Sequence, residues 1–143
     1  MSRALHDGRM FRAYREFSGT LTLKAVFDKP FLLTAQTLHL DKGEARLVVS
    51  IAATEVGTFG TPVSTVFGMN GLRSAPSRLT ITTGGTVTGG MEREVLRANS
   101  GSGSDTNTRL EGTRQLPAGT YYMTLTVTGT TSGVYSFEYE NLS

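Results

Sequence analysis

The residues that could do chemistry are few and widely spread. Two histidines stand in the 143-residue chain, His6 near the start and His39 within "TLHL". In a strand His39 would turn away from Leu38 and Leu40, so we expect an edge or surface histidine rather than a general base. Glu92 and Glu94 stand two apart, as do Glu138 and Glu140. Two such positions share one strand face, which could offer an acid and a nucleophile to a glycoside. Arg93 and Arg97 flank the first pair, the chain end flanks the second, and surface ion pairs are the plainer expectation. Asp105, Asn107 and Glu111 could give oxygen ligands to calcium, but their spacing falls short of a compact calcium loop. "GSGS" has neither the spacing nor the setting of a nucleophile elbow. The pairs Gly84-Gly85 and Gly89-Gly90 are not followed by a helical pattern, so they read as hairpin turns rather than a phosphate cradle. The chain has no Cys, which removes disulfides and thiolate metal sites. We therefore expect no enzyme, no metal and no cofactor.

The elements that would position these residues follow a period of two. In "GTLTLKAVFD" Leu21, Leu23, Ala25 and Phe27 alternate with Thr20, Thr22, Lys24 and Val26, as a half-buried strand requires. Pro30 cannot donate to a ladder and marks the break before "FLLTAQTLHL". "DKGE", Asp41 to Glu44, reads as a hairpin turn, and "ARLVVSIAA" follows with Leu47, Val49 and Ile51 on one face, suggesting a three-strand meander. "TEVGTFGTP" reads as a loop or short edge, "STVF" as a short strand, and "SRLTITTGGTVTGGMEREVLRA" as two or three strands. "NSGSGSDTN" has loop composition, and strand signals resume at "TRLEGTRQL". Eight or nine short strands without a long helix give the fold class: an all-β, single-domain antiparallel β-sandwich, with a jelly roll as the expected form. A chain of this length hides roughly 70% of its unfolded surface, so one domain suffices.

Charge is concentrated at the start. Arg3, Arg9, Arg12 and Arg15 against Asp7 and Glu16 give the first 16 residues the chain's whole net charge of +2. These residues also interrupt any apolar run, so no signal peptide is expected, and no stretch reaches the length that spans a bilayer. Residues 1–17 thus read as an extended basic and aromatic arm, and 18–143 as the sandwich. Within the arm Phe11, Tyr14 and Phe17 recur at a spacing of three, as on one side of a short helix. Aromatics among arginines weakly resemble a nucleic-acid surface, but contact with a protein is the expectation. Neither nucleic acid nor membrane is expected as a partner.

The last strands are "LPAGTYYMTLTVTG" and "GVYSFEYEN". Tyr121, Met123, Leu125 and Val127 face one side and read as core, and Tyr121 after the Pro117 corner suits a tyrosine corner. Tyr135, Phe137 and Tyr139 share a face that could be core, a platform for sugar, or a subunit interface.

Taken in order, several short motifs resemble the capsid cement or decoration proteins of tailed bacteriophages. They are His6, Gly8 and Phe11 in "HDGRMF"; Asn70, Arg73 and Ser74 in "MNGLRS"; Thr86 and Val87 in "GGTVTGG"; "LPAGTY", Leu116 to Tyr121; and Phe137, Tyr139 and Glu140 in "FEYE". The general character is similar to the cement proteins of short-tailed phages of the Bordetella phage type. The chain departs in a thinned Asn/Arg segment and in lacking a Trp before the final Tyr-Glu. The resemblance implies a jelly roll that dimerises, sits outside an icosahedral capsid assembled in the bacterial cytoplasm, and clasps neighbouring major capsid protein subunits. Arg3, His6, Arg9, Phe11, Arg12, Tyr14 and Arg15 would then form the capsid-binding arm, and Tyr135, Phe137 and Tyr139 a dimer or ligand face. "LPAGTYY" alone also resembles secreted carbohydrate-binding or pre-peptidase C-terminal β-sandwiches, which would make the chain a sugar-binding module.

Overall fold

The computed structural model describes residues 8–41, 43–63, 66–69, 79–99, 106–128 and 132–142, and side chains within β11 only from residue 112. Among them are thirteen strands: β1 (Met10–Phe17), β2 (Leu21–Phe27), β3 (Phe31–Leu40), β4 (Glu44–Ile51), β5 (Thr54–Val56), β6 (Thr61–Pro62), β7 (Val66–Gly68), β8 (Leu79–Thr83), β9 (Thr86–Thr88), β10 (Met91–Asn99), β11 (Thr106–Leu116), β12 (Gly119–Thr128) and β13 (Gly133–Asn141). Every pairing is antiparallel. Sheet A runs β11-β3-β13-β1-β7, sheet B runs β10-β4-β12-β2-β8-β6, and β5 and β9 form a separate two-stranded flap.

The protein is an all-β sandwich, as the alternation of its strands predicts. Sheet A turns Phe11, Ala13, Phe31, Leu33, Leu38, Tyr135, Phe137 and Tyr139 inward, and sheet B meets them with Leu23, Ala25, Phe27, Leu47, Val49, Leu96, Tyr121, Met123 and Leu125. Each of the larger buried side chains, the leucines, valine, methionine and rings, contributes about 2 kcal/mol by leaving water. Rings dominate one end: Phe27 meets Tyr121 and Tyr139 edge-on at 6.0 and 5.3 Å, and Phe11 stacks on Tyr139 at 5.4 Å. The Tyr121 hydroxyl donates to the Pro117 carbonyl at 2.7 Å, closing the tyrosine corner and contributing about 1 kcal/mol.

The meander is corrected by the pairing. β2 and β4 lie in sheet B and β3 between them in sequence lies in sheet A. "DKGE" is therefore a corner between sheets, and so is the connection from β12 to β13. The glycine pairs also differ from the hairpin expectation: they carry the chain from β8 into the flap strand β9, and back to β10. Gly84, Gly89 and Gly90 take φ of 122°, 69° and 94°, which a side chain strongly disfavours. Turn residues are the same for a hairpin and for a corner, so local chemistry does not separate the two.

The arm is corrected too. From Met10 onward it is β1, seated between β13 and β7 with eight residues in register against β13. Its period is two rather than three: Phe11, Ala13 and Phe17 are buried, and Arg12 and Tyr14 lie on the outer face. "MFRAYREF" has no β-branched residue, and its three aromatics fit a helix face as well as a strand, so it is pairing on both sides that fixes this segment as a strand.

Candidate functional site

β1 and β13 present a polar band on the outer face of sheet A. Arg12 Nη2 meets Glu138 Oε1 at 2.7 Å, and Arg9 Nη1 meets Glu140 Oε1 at 3.2 Å and the Asn141 carbonyl at 3.3 Å. Both pairs span directly or nearly opposite positions of the two strands. The chain is fastened from Arg9 onward: the Asn141 amide donates to the Arg9 carbonyl, and the Met69 amide to the Met10 carbonyl, each at 2.9 Å. Tyr14 is half-buried beside Ser136 on the same face.

Of the residues expected in a capsid-binding arm, Arg9, Arg12 and Tyr14 thus lie together on this face. Phe11 does not: it is 2% exposed and belongs to the core. Arg15 stands opposite Tyr135 on the inward side, with its Nε buried and without a hydrogen-bond partner among the described residues. Arg3 and His6 lie outside the described residues. Tyr135, Phe137 and Tyr139 are 2%, 2% and 0% exposed. They fill the interior between the sheets, so they form neither a sugar platform nor a dimer face. The physical reason is hydrophobic: three rings on one strand face remove far more apolar area from water inside the sandwich than a solvent-facing stripe could.

The carboxylate pairs divide. Glu138 and Glu140 share the outer face and both pair with arginine, as expected. Glu92 and Glu94 do not share a face, because a bulge at Arg93 aligns Glu92 with Ser50 and Glu94 with Val49. Glu92 lies outside with Arg46 at 3.4 Å, and Glu94 turns inward. An extra residue in one strand reverses the alternation beyond it, and nothing in "MEREVLRA" signals it. Asp105 lies outside the described residues, as do the side chains of Asn107 and Glu111. Among the described residues no three His, Asp or Glu side chains gather as a metal site. His39 lies on the outer side as expected, with Nε2 at 3.9 Å from Asp41 Oδ1; Ser132 Oγ donates to Asp41 Oδ2.

No protein-family model matches the chain. Comparison with curated proteins and with solved structures likewise finds no match.

Two polar clusters escaped the sequence. On the outer face of sheet B the flap covers Tyr122, whose hydroxyl donates to Glu55 Oε2 at 2.5 Å, while Lys24 Nζ meets the same oxygen at 2.8 Å. Phe59 packs on the Tyr122 ring at 6.0 Å. Burial, then the bond to Glu55, pushes the Tyr122 phenol up to about 12. The bonds from Lys24 and then Tyr122 hold the Glu55 carboxyl below its ordinary value. Between the sheets, Tyr135 donates to Gln36 Oε1 at 2.5 Å, and Gln36 Nε2 donates to Glu94 Oε1. Arg114 closes on Glu94 with Nε to Oε2 and Nη2 to Oε1, both at 2.8 Å. Burial first, and then the Glu94 charge, raises the Tyr135 phenol, and burial raises Tyr121.

A phenol raised by folding stays protonated after its unfolded counterpart has ionised. Its stabilisation is complete below about pH 10 and is lost as pH rises through the folded value. Phenolate absorbance should accordingly show Tyr121, Tyr122 and Tyr135 ionising late, with the denaturant midpoint falling above about pH 10. Tyr122→Phe should remove the step near 12 and leave the later one. Simple titration of all tyrosines near 10 would contradict the burial of these rings.

Proposed function

We propose that this chain is a structural virion protein that binds the outer surface of an icosahedral phage capsid and cements neighbouring major capsid protein subunits. The motifs that resemble phage cement proteins support this reading, and so does the strand order. β1-β13-β3-β11 facing β2-β12-β4-β10 supports taking the sandwich as a jelly roll, two Greek keys wound together. A fold does not fix a function. The observation that carries the reading is the seating of β1. β1 is held on both sides in sheet A, with Arg9 and Arg12 clamped to Glu140 and Glu138. Pull on residues 1–8 would pass into a paired strand of the rigid body rather than into a loop.

In this mechanism the arm is shorter than the charge pattern suggests. The residues before β1, with Arg3 and His6, would supply contacts to the shell, and the outer face around Arg12, Tyr14 and Glu138 lies against it. Ion pairs at such a rim give orientation and salt-sensitive association rather than large affinity. Repetition over a closed shell multiplies modest contacts, and pairing of two copies along a sheet edge would add to the avidity.

The test is deletion of residues 2–7, which leaves β1 whole. The truncated protein should keep its far-ultraviolet circular dichroism and lose about tenfold or more of its occupancy in co-sedimentation with empty shells of a short-tailed phage major capsid protein that the intact chain binds. Full occupancy after the deletion would remove the arm from the mechanism. Absence of binding by the intact chain would remove the capsid reading itself.

A further inference from the structure

The two-stranded flap is a separate element on the outer face of sheet B. β5 and β9 pair Thr54 with Thr88, Glu55 with Val87 and Val56 with Thr86, and neither strand joins a larger sheet. Among the described residues no backbone hydrogen bond outside the strand ladders ties the flap down. Two strands alone are marginal in water, so the flap depends on its side-chain attachment to the sheet beneath. Strain gathers at its joint with β4, where Ala52 holds φ at 57°, a left-handed conformation that any side chain disfavours.

Beneath the flap lies one rung of sheet B. Glu92, Ser50, Tyr122, Lys24 and Thr82 stand side by side on β10, β4, β12, β2 and β8. Tyr122 and Ser50 are each 6% exposed, a depth that polar side chains on the outside of a sandwich reach only under a cover. The two donors in the middle of the rung converge: the Tyr122 hydroxyl and Lys24 Nζ both meet Glu55 Oε2. The second attachment is apolar, Phe59 against the Tyr122 ring. Ser50 and Thr82 do not titrate, Glu92 at the end of the rung is turned to Arg46, and Arg93 follows it at the bulge. Glu55 is the one titratable side chain of β5 and β9 themselves.

We propose that Glu55 is an acid-released latch, whose protonation frees the flap to leave sheet B and uncover Tyr122 while the sandwich stays folded. The bonds from Lys24 and then Tyr122 hold the Glu55 carboxyl below its ordinary value. A carboxyl depressed by folding adds stability above its unfolded value, about pH 4, and that stability is lost as pH falls through the folded one. The latch is therefore closed at neutral pH and loosens in acid. On the alkaline side Tyr122 keeps its proton up to about 12, so its bond to Glu55 survives there. This inference is independent of the capsid reading.

Amide hydrogen exchange of the intact chain, corrected for the intrinsic rate at each pH, tests it. From about pH 6 to about pH 3, protection in residues 54–56 and 86–88 should fall about fivefold, while β3, β4 and β12 keep theirs. Glu55→Gln keeps an acceptor for the Tyr122 hydroxyl and removes the charge. Its flap should be about threefold less protected than the parent's at neutral pH and should no longer respond to acid. Lys24→Met, which leaves the carboxylate and removes the cation, should loosen the flap at neutral pH by a similar factor. Flap protection that does not change with pH, that changes equally in Glu55→Gln, or that is lost only together with that of β3 and β12 would overturn the proposal.

Discussion

Gly133→Ala should destabilise the protein by about 3 kcal/mol or more, the upper range for forcing atoms into a packed interior. A Cβ built on Gly133 would lie 1.9 Å from the His39 carbonyl oxygen, 3.0 Å from its carbon and 3.0 Å from Phe17 Cζ. Two of these three atoms are backbone of β3, paired with β13 on one side and β11 on the other. No rotamer change relieves such a clash. Either β3 moves away from β13, breaking the ladder that joins Gly133 to Leu40, or β13 tilts and uncovers Phe17, which is buried against it. Gly19→Ala is the matched control, since nothing lies within 4 Å of its Cβ, and the loss of backbone freedom in the unfolded chain should leave it neutral or about 0.5 kcal/mol more stable. Urea unfolding followed by circular dichroism reads both. Equal stability of the two variants would mean that β13 does not enter the sheet as described.

Gly133 also shows how far the sequence could be read. Its neighbours "SGVYSFEYEN" plainly announce a strand with Tyr135, Phe137 and Tyr139 in line, and those rings do share a face. Nothing local says that the strand before it lies in the opposite sheet or that His39 passes so close. Alternation fixes which side of a strand is apolar, because that depends on period alone. It cannot fix the strand's neighbours, since pairings such as β1 with β13 join residues more than a hundred positions apart. The same limit explains the arm. "RMFRAYREF" looks polar and charged in isolation because its arginines find their carboxylates, Glu138 and Glu140, at the far end of the chain. The partners of this segment are distant in sequence rather than absent. Bulges are the second limit: the shift at Arg93 turned Glu94 into the interior, and one at Thr34 lets Ala35 and Gln36 both be buried in succession.

Gln36 and Glu94 set the other large effect. The cluster Tyr135, Gln36, Glu94 and Arg114 draws on β13, β3, β10 and β11, and so ties the edge of sheet B to the edge of sheet A. Gln36 is 1% exposed, and the side chains of Glu94 and Arg114 are only 14% and 27% exposed. Arg114→Met would leave the Glu94 carboxylate with Gln36 as its remaining partner, and an uncompensated charge at such a depth costs about 3 kcal/mol. Adding Glu94→Gln should bring stability back to within about 1 kcal/mol of the parent, because the substituted amide oxygen can still accept from Gln36 while the charge is gone. The double-mutant cycle should therefore give a coupling energy of about 2 kcal/mol in urea unfolding at neutral pH. A coupling near zero would mean that water screens the pair, as it screens exposed ones. The contact between β10 and β11 would then not depend on this ion pair. A strong coupling instead makes this ion pair the closure of the sandwich on the side where both sheets end.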